Sequence, residues 1–243
     1  MTQGKTEKPA EEFMGVPIEG AMERVLSRQS AQAQQQTQIP AVNKEGFIYV
    51  PSLNLYVAKQ RDHLGINWPD THSALVSENL RMPTIPEFIA YLRYLNENKS
   101  NPEFLQIYNE ITEKRDPWRA NWLDADFKVI NGILHINYNH ILQNGKLIPK
   151  NSDSLDRDTL MQNKTPGVSL EELLRNPTSQ GLPRQGIIDG ELYYWAPMSD
   201  NKSVAGFGAG SGGAYLSCNR YPSDGDSSLG VFAVADAGQN ARP

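Results

Sequence analysis

The sequence predicts an α+β fold. Three observations carry this: helical periodicity is confined to the first half, short strands around long loops fill the second, and no strand–helix–strand alternation or internal repeat occurs. With 243 residues the chain can bury a full core as one domain with an appendage.

Taken in order, residues 1–43 read as a polar leader and residues 44–243 as the globular domain. Within the leader, residues 13–38 could form a helix after Pro17, with Ile18, Met22, Val25 and Leu26 on one stripe. Its second half is rich in Gln, so two readings stay open: a frayed leader, or a helix that docks or assembles subunits into an oligomer. GFIYV and LYVAK around PSLN read as a hairpin, and Asp70 to Asn79 as a short helix. MPTIPEFIAYLRYLNEN is a helix capped by Thr84 with Glu87 as its capping-box partner. A second helix starts at Pro102, with Leu105, Tyr108 and Ile111 spaced for burial. DFKVINGILHINYNH gives two strands around Asn131-Gly132. Residues 143–190 read as loops with one short helix near Ser169 to Arg175. ELYYWAP and LGVFAVAD are the clearest strands beyond Gly190.

Bulk properties exclude several functions. Charged residues are 21% of the chain and the net charge is −5, so no nucleic-acid footprint is visible. A single cysteine, Cys218, excludes an internal disulfide or a cysteine-based zinc site. No apolar run approaches the length of a membrane span, and MTQGKTEKPAEEF lacks the apolar core of a signal peptide. A protein without membrane insertion, cytoplasmic or virion-associated, is expected.

The individual chemical motifs are weak. Gly208-Ala-Gly-Ser-Gly-Gly213 matches G-x-G-x-x-G, but AYLSCNRYPSDG follows, with Pro222 and no helical period, so a flexible small-residue loop is expected there. His135 and His140 are five apart on a strand and point to opposite faces, and no paired-histidine motif occurs, so no metal or cofactor is expected. Asp224 and Asp226 have the oxygen density of half a calcium loop, yet no bidentate Glu follows, and a solvated turn is preferred. Cys218 has no neighbouring base and reads as a buried thiol. Trp118, Trp122, Tyr193, Tyr194 and Trp195 read as core and loop anchors.

A compositional gap is more informative. From Ser203 to Asp236 the chain has 34 residues without one Lys, Glu, Gln, Met or Trp, although these types make up 50 of the 243 residues. Chance placement would put about seven of them there. Gly, Ser, Ala, Asp, Asn and Tyr take their place, a palette suited to an adaptable contact surface.

Within that stretch, Gly212-Gly-Ala-Tyr215, Ser217-Cys-Asn-Arg220 and Leu229-Gly-Val-Phe232-Ala-Val follow one another. This order resembles the G-G-S-W, S-A-N-R and I-G-F-R elements of the formylglycine-generating-enzyme type of C-type lectin fold. Arg81-Met-Pro-Thr-Ile-Pro-Glu-Phe88 is similar to that family's R-L-P-T-x-x-E-[FW] helix start. The family's oxidases need a pair of cysteines for copper, and here Cys218 stands alone where S-A-N-R has alanine. Its iron-dependent members use a histidine cluster that this sequence does not display. The resemblance therefore implies a non-enzymatic branch.

That branch is similar to the variable proteins of diversity-generating retroelements, in which adenine-directed mutagenesis randomises A-A-pyrimidine codons near the C-terminus. Such codons can never yield Lys, Glu, Gln, Met or Trp, the five types missing here. The resemblance implies a C-type lectin-like domain whose loops at about 199–236 bind varied protein or surface ligands. Asp200, Gly208, Gly210, Tyr215, Ser217, Tyr221, Asp224 and Asp226 are the candidate ligand contacts on an exposed face. Gly213, Leu229, Gly230, Phe232 and Trp195 are expected to be scaffold. The alternatives are a fixed-specificity virion attachment or structural domain of the same fold, or an enzyme of the wider family with an unrecognised site.

Overall fold

A computed structural model describes residues 12–13, 16–17 and 44–239. The chain divides into two compact units, residues 1–40 and 41–243. In the first, Glu12–Phe13 (β1) pairs antiparallel with Val16–Pro17 (β2). The helix expected after Pro17 falls outside the described residues.

The second unit is mixed α+β, with a sheet-rich core and few helices. Phe47–Val50 (β3) and Leu55–Ala58 (β4) form the expected hairpin, and the chain's last strand, β13 (Val234–Asp236), joins them in the order β13-β4-β3. Four α-helices are described: α1 (Trp68–Ser77), α2 (Ile85–Glu97), α3 (Pro102–Thr112) and α4 (Leu170–Arg175). The main sheet contains β5 (Arg119–Ile130), β6 (Ile133–Gln143), β7 (Lys146–Ser154), β8 (Lys164–Val168), β9 (Leu192–Trp195), β10 (Val204–Gly210) and β11 (Gly213–Arg220). These run β7-β6-β5-β10-β11-β9-β8, and the two-residue β12 (Leu229–Gly230) pairs parallel with β5.

Local chemistry explains several elements. The Glu87 carboxylate accepts the backbone N–H of Thr84 at 2.8 Å, the capping box that starts α2. Arg81, just upstream, reaches both Glu87 at 2.7 Å and Asp236 at 3.1 Å, tying the start of α2 to the last strand. Asn131 and Gly132 have φ of 51° and 80°, the left-handed pair that closes a tight hairpin between β5 and β6. Asn144 and Gly145 repeat the device at 51° and 72°, which makes β7 a strand where a loop was expected.

The core lies between α2 and the sheet. Phe88 packs 5.4 Å from Phe207 and 6.4 Å from Phe232, ring to ring, and Tyr91 joins them. On α3 the buried positions are Ile107 and Ile111, whereas Leu105, expected inside, is 39% exposed. The whole run Leu229 to Ala235 is buried, so Leu229, Gly230 and Phe232 are scaffold.

The glycine string corrects the sequence reading most. Val204–Gly210 is a strand, not a flexible loop, and a tight turn at Ser211-Gly212 leads directly into β11. Its period-2 pattern was hidden because one face carries Ala205, Phe207 and Ala209 and the other only Gly206, Gly208 and Gly210. Strand–turn–strand leaves no helix for a dinucleotide phosphate.

Candidate functional site

The glycine face of β10 lies buried beneath the side chains that line an open depression. A Cβ on Gly206 would meet Arg220 Cδ at 2.8 Å, and one on Gly208 would meet Tyr215 Oη at 2.6 Å. Both long side chains rise from β11 and lie across β10, in space that any other residue would fill. They converge on the tryptophans of β5 and its approach. Trp118 Nε1 donates to Tyr215 Oη at 2.8 Å, and Arg220 Nη1 donates to the same oxygen at 3.2 Å. The Arg220 guanidinium carbon lies 5.4 Å from the Trp118 ring and 5.4 Å from the Trp122 ring. Its Nη2 pairs with Asp224 Oδ2, while its Nε is buried without a partner.

β9 supplies the other wall. Parallel pairing sets Tyr193 beside Tyr215 and Trp195 beside Ser217. The Tyr193 and Trp195 rings stack at 6.0 Å and 20°, and Trp195 meets Tyr215 edge-on at 5.7 Å. Together Trp118, Trp195, Tyr215, Ser217, Asn219, Arg220, Tyr221 and Asp224 line a depression of about 380 Å³. Tyr221, 72% exposed, also lines a neighbouring cavity of about 630 Å³ with Trp68, Asp126, His140 and Asn201.

Of the eight candidate contacts, Tyr215, Ser217, Tyr221 and Asp224 are brought together here. Three need correcting for exposure. Gly208 and Gly210 are buried because neighbouring side chains occupy the space where their Cβ atoms would stand. Ser217 is 4% exposed, its hydroxyl donating to Asn219 Oδ1 at 2.9 Å. Asp200 and Asp226 lie outside the lining and serve their own turns. Asp200 accepts from the backbone of Lys202 at 2.9 Å and the hydroxyl of Ser203 at 2.8 Å, and Asp226 accepts from Ser228 N at 2.8 Å.

Sequence reasoning missed other parts. Trp195, expected as scaffold, and Trp118 and Tyr193, expected as core or loop anchors, are half-buried walls of the depression or stacked on one, whereas Trp122 and Tyr194 are buried. Leu192-Tyr-Tyr-Trp195 is apolar or aromatic at every position, so its alternation of buried and half-buried side chains is visible only in the folded sheet. Asn219 and Arg220 were visible only as letters of a motif. Cys218 is fully buried, and burial pushes its thiol up, away from nucleophilic use.

A second polar cluster sits inside the fold. His72 on α1, Asp124 on β5 and His140 on β6 place one ligand-capable atom each within 4.8 Å of one another. His140 Nδ1 makes a short hydrogen bond to Asp124 Oδ1, and its Nε2 lies 3.6 Å from Asp126 Oδ1. Burial pushes His140 down, but hydrogen bonds and charge from Asp124 and Asp126 outweigh it and hold the imidazole at about 9. Burial dominates at His72 and pushes it down to about 4 against the pull of Asp124. His140 finds a partner in His72, 68 positions upstream, that no local spacing announces. Asp224 and Asp226 do not form a comparable group among the described residues.

In comparison with known proteins, no family model, no curated protein and no solved structure matches the chain. No helix among the described residues is long and apolar enough to cross a membrane.

Proposed function

We propose that this chain is a non-enzymatic ligand-binding protein with a C-type lectin-like fold of the formylglycine-generating-enzyme type, diversified at its C-terminal surface by a retroelement. One observation carries the proposal: Tyr215, Ser217, Tyr221 and Asp224, singled out from sequence, meet Trp118, Trp195, Asn219 and Arg220 around one open depression. The division of labour is physically suitable. Buried glycines and an engaged Tyr215–Arg220–Trp118 frame hold the floor, while Tyr221 on the rim offers a large side chain at low entropic cost. Rigid elements carry exposed side chains that can change without touching the core.

A fixed-specificity attachment or structural domain is the second reading, and one observation favours it. Nineteen of the 34 residues from Ser203 to Asp236 are buried, where Lys, Glu and Gln are rare for any reason. Only fifteen positions remain at which their absence is informative, and chance would put about three residues of these five types there.

Sequencing the surrounding genome separates the two. Diversification predicts a nearby invariant copy of the 3′ coding end differing at adenines, together with a reverse transcriptase gene. It also predicts that variation among isolates falls on Ser211, Asn219, Tyr221, Ser223 and Asp224 and spares Phe207, Leu216, Cys218 and Phe232. Finding neither the copy nor the enzyme sinks the retroelement and leaves a fixed binding face.

A further inference from the structure

The buried cluster beneath α1 does not line the depression that carries the binding face and has a shape of its own. His72 Nε2 is enclosed, has no hydrogen-bond partner, and lies 3.7 Å from Asp124 Oδ1. His140 directs Nδ1 at that same oxygen, so two imidazole nitrogens and one carboxylate oxygen face a common point. The other oxygen of Asp124 accepts the backbone N–H of His140 at 3.0 Å, which fixes the carboxylate's orientation. Trp68 packs edge-on against both rings, at 4.4 Å from His72 and 5.0 Å from His140, so neither imidazole can swing without moving a buried indole. The side chains of His72, Asp124 and His140 are 3%, 2% and 3% exposed, which makes the site closed.

An enclosed polar atom without a partner is unfavourable, and native folds rarely leave one without a reason. The geometry points to a divalent transition-metal site, with Zn²⁺ the best match, held by His72 Nε2, His140 Nδ1 and Asp124 Oδ1. Two imidazoles and one carboxylate suit zinc and its neighbours, whereas calcium and magnesium require mostly oxygen. Asp126 completes the arrangement as the outer carboxylate. Its Oδ1, which also lacks a hydrogen-bond partner, faces His140 Nε2 at 3.6 Å and would take that N–H, turning the Nδ1 lone pair toward the ion. Because the ligands come from α1, β5 and β6, the ion ties a helix to two central strands, a structural role independent of the binding-face proposal.

The full chain is stripped with a chelator, reloaded with Zn²⁺ or Co²⁺, and assayed for bound metal after gel filtration and for thermal midpoint. One equivalent retained per chain, a higher midpoint with zinc and a visible Co²⁺ d–d band displaced by zinc are the expected results. His72→Gln, which keeps a polar group of similar reach, should weaken zinc binding by more than about a hundredfold, and Asp126→Asn by about 10–100-fold. His135→Gln, at a half-exposed histidine outside the cluster, should bind like the parent. Substoichiometric metal with an unchanged midpoint overturns the site, as does zinc binding that survives His72→Gln or that falls equally with His135→Gln. If His72→Gln does not fold, the stoichiometry and Co²⁺ spectrum of the parent chain decide the matter by themselves.

Discussion

Arg220 and His140 invite comparison, because each is a cationic group paired with aspartate and packed against tryptophan. Arg220 pairs with Asp224 beside Trp118 and Trp122, and His140 pairs with Asp124 and Asp126 beside Trp68. Their surroundings differ. The Asp224 side chain is 35% exposed and that of Asp124 only 2%. Water can replace a lost partner at the first pair but not at the second. The open pair can therefore change with little consequence for folding, as a recognition surface requires, and the closed pair cannot.

The sharpest way to break that contrast is to neutralise the closed pair. Asp124→Asn leaves His140 facing an amide where both side chains are almost wholly buried, and loss of one partner from a buried pair is destabilising by about 3–5 kcal/mol. The urea midpoint of the chelated protein measures it. A loss below about 1 kcal/mol would show that water reaches His140 and would erase the distinction between the pairs.

Next in size is the floor of the depression. Gly208→Ala places a Cβ 2.7 Å from the backbone oxygen of Arg119 and 2.6 Å from Tyr215 Oη, so backbone as well as side chain must move. Overpacking of this kind is destabilising by about 1–3 kcal/mol, and loss of the Trp118–Tyr215 contact should appear in the tryptophan fluorescence. Gly212→Ala is the comparison, since its Cβ would meet nothing nearer than 3.9 Å. Equal losses at both positions would mean that the glycines matter only as turn residues.

What could be read in advance follows the same division between local and assembled features. Thr84 with Glu87 announced α2, and Asn131-Gly132 announced the β5–β6 hairpin, because caps and tight turns are made by neighbouring residues. Asn144-Gly145 carries the same information for β7. β10 was illegible as a strand because glycine contributes no side chain to a period-2 pattern. The binding face was half visible: Tyr215, Ser217, Tyr221 and Asp224 lie on one local stretch, whereas Trp118 arrives from 97 positions away. His72, Asp124 and His140 come from three separate elements, and only the packing of α1 on the sheet makes them a group.

Asp224→Asn tests the open pair directly. An ion pair this exposed contributes about 0–1 kcal/mol, so the urea midpoint should barely move. Arg220 remains anchored to Tyr215 and both indoles after the change. A loss as large as that of Asp124→Asn would place Asp224 in the structural frame and remove it from the variable surface.

Tyr221→Ala should have the smallest effect on stability and the largest on recognition. With 72% of its surface exposed and its ring on the rim of both depressions, Tyr221 has little to lose on truncation, and surface changes of this kind stay within about 0.5 kcal/mol. A rim tyrosine that anchors a ligand is a different matter, since aromatic anchors dominate interface energetics. Once a ligand is found by panning the purified chain against immobilised proteins and glycans, titration should show at least about a tenfold weaker affinity, or about 1.4 kcal/mol. Trp195→Ala should act in the same direction if both walls contact that ligand. A ligand whose affinity is indifferent to Tyr221 and Trp195, yet falls with substitutions elsewhere, would move the binding face off this depression while leaving the closed cluster untouched.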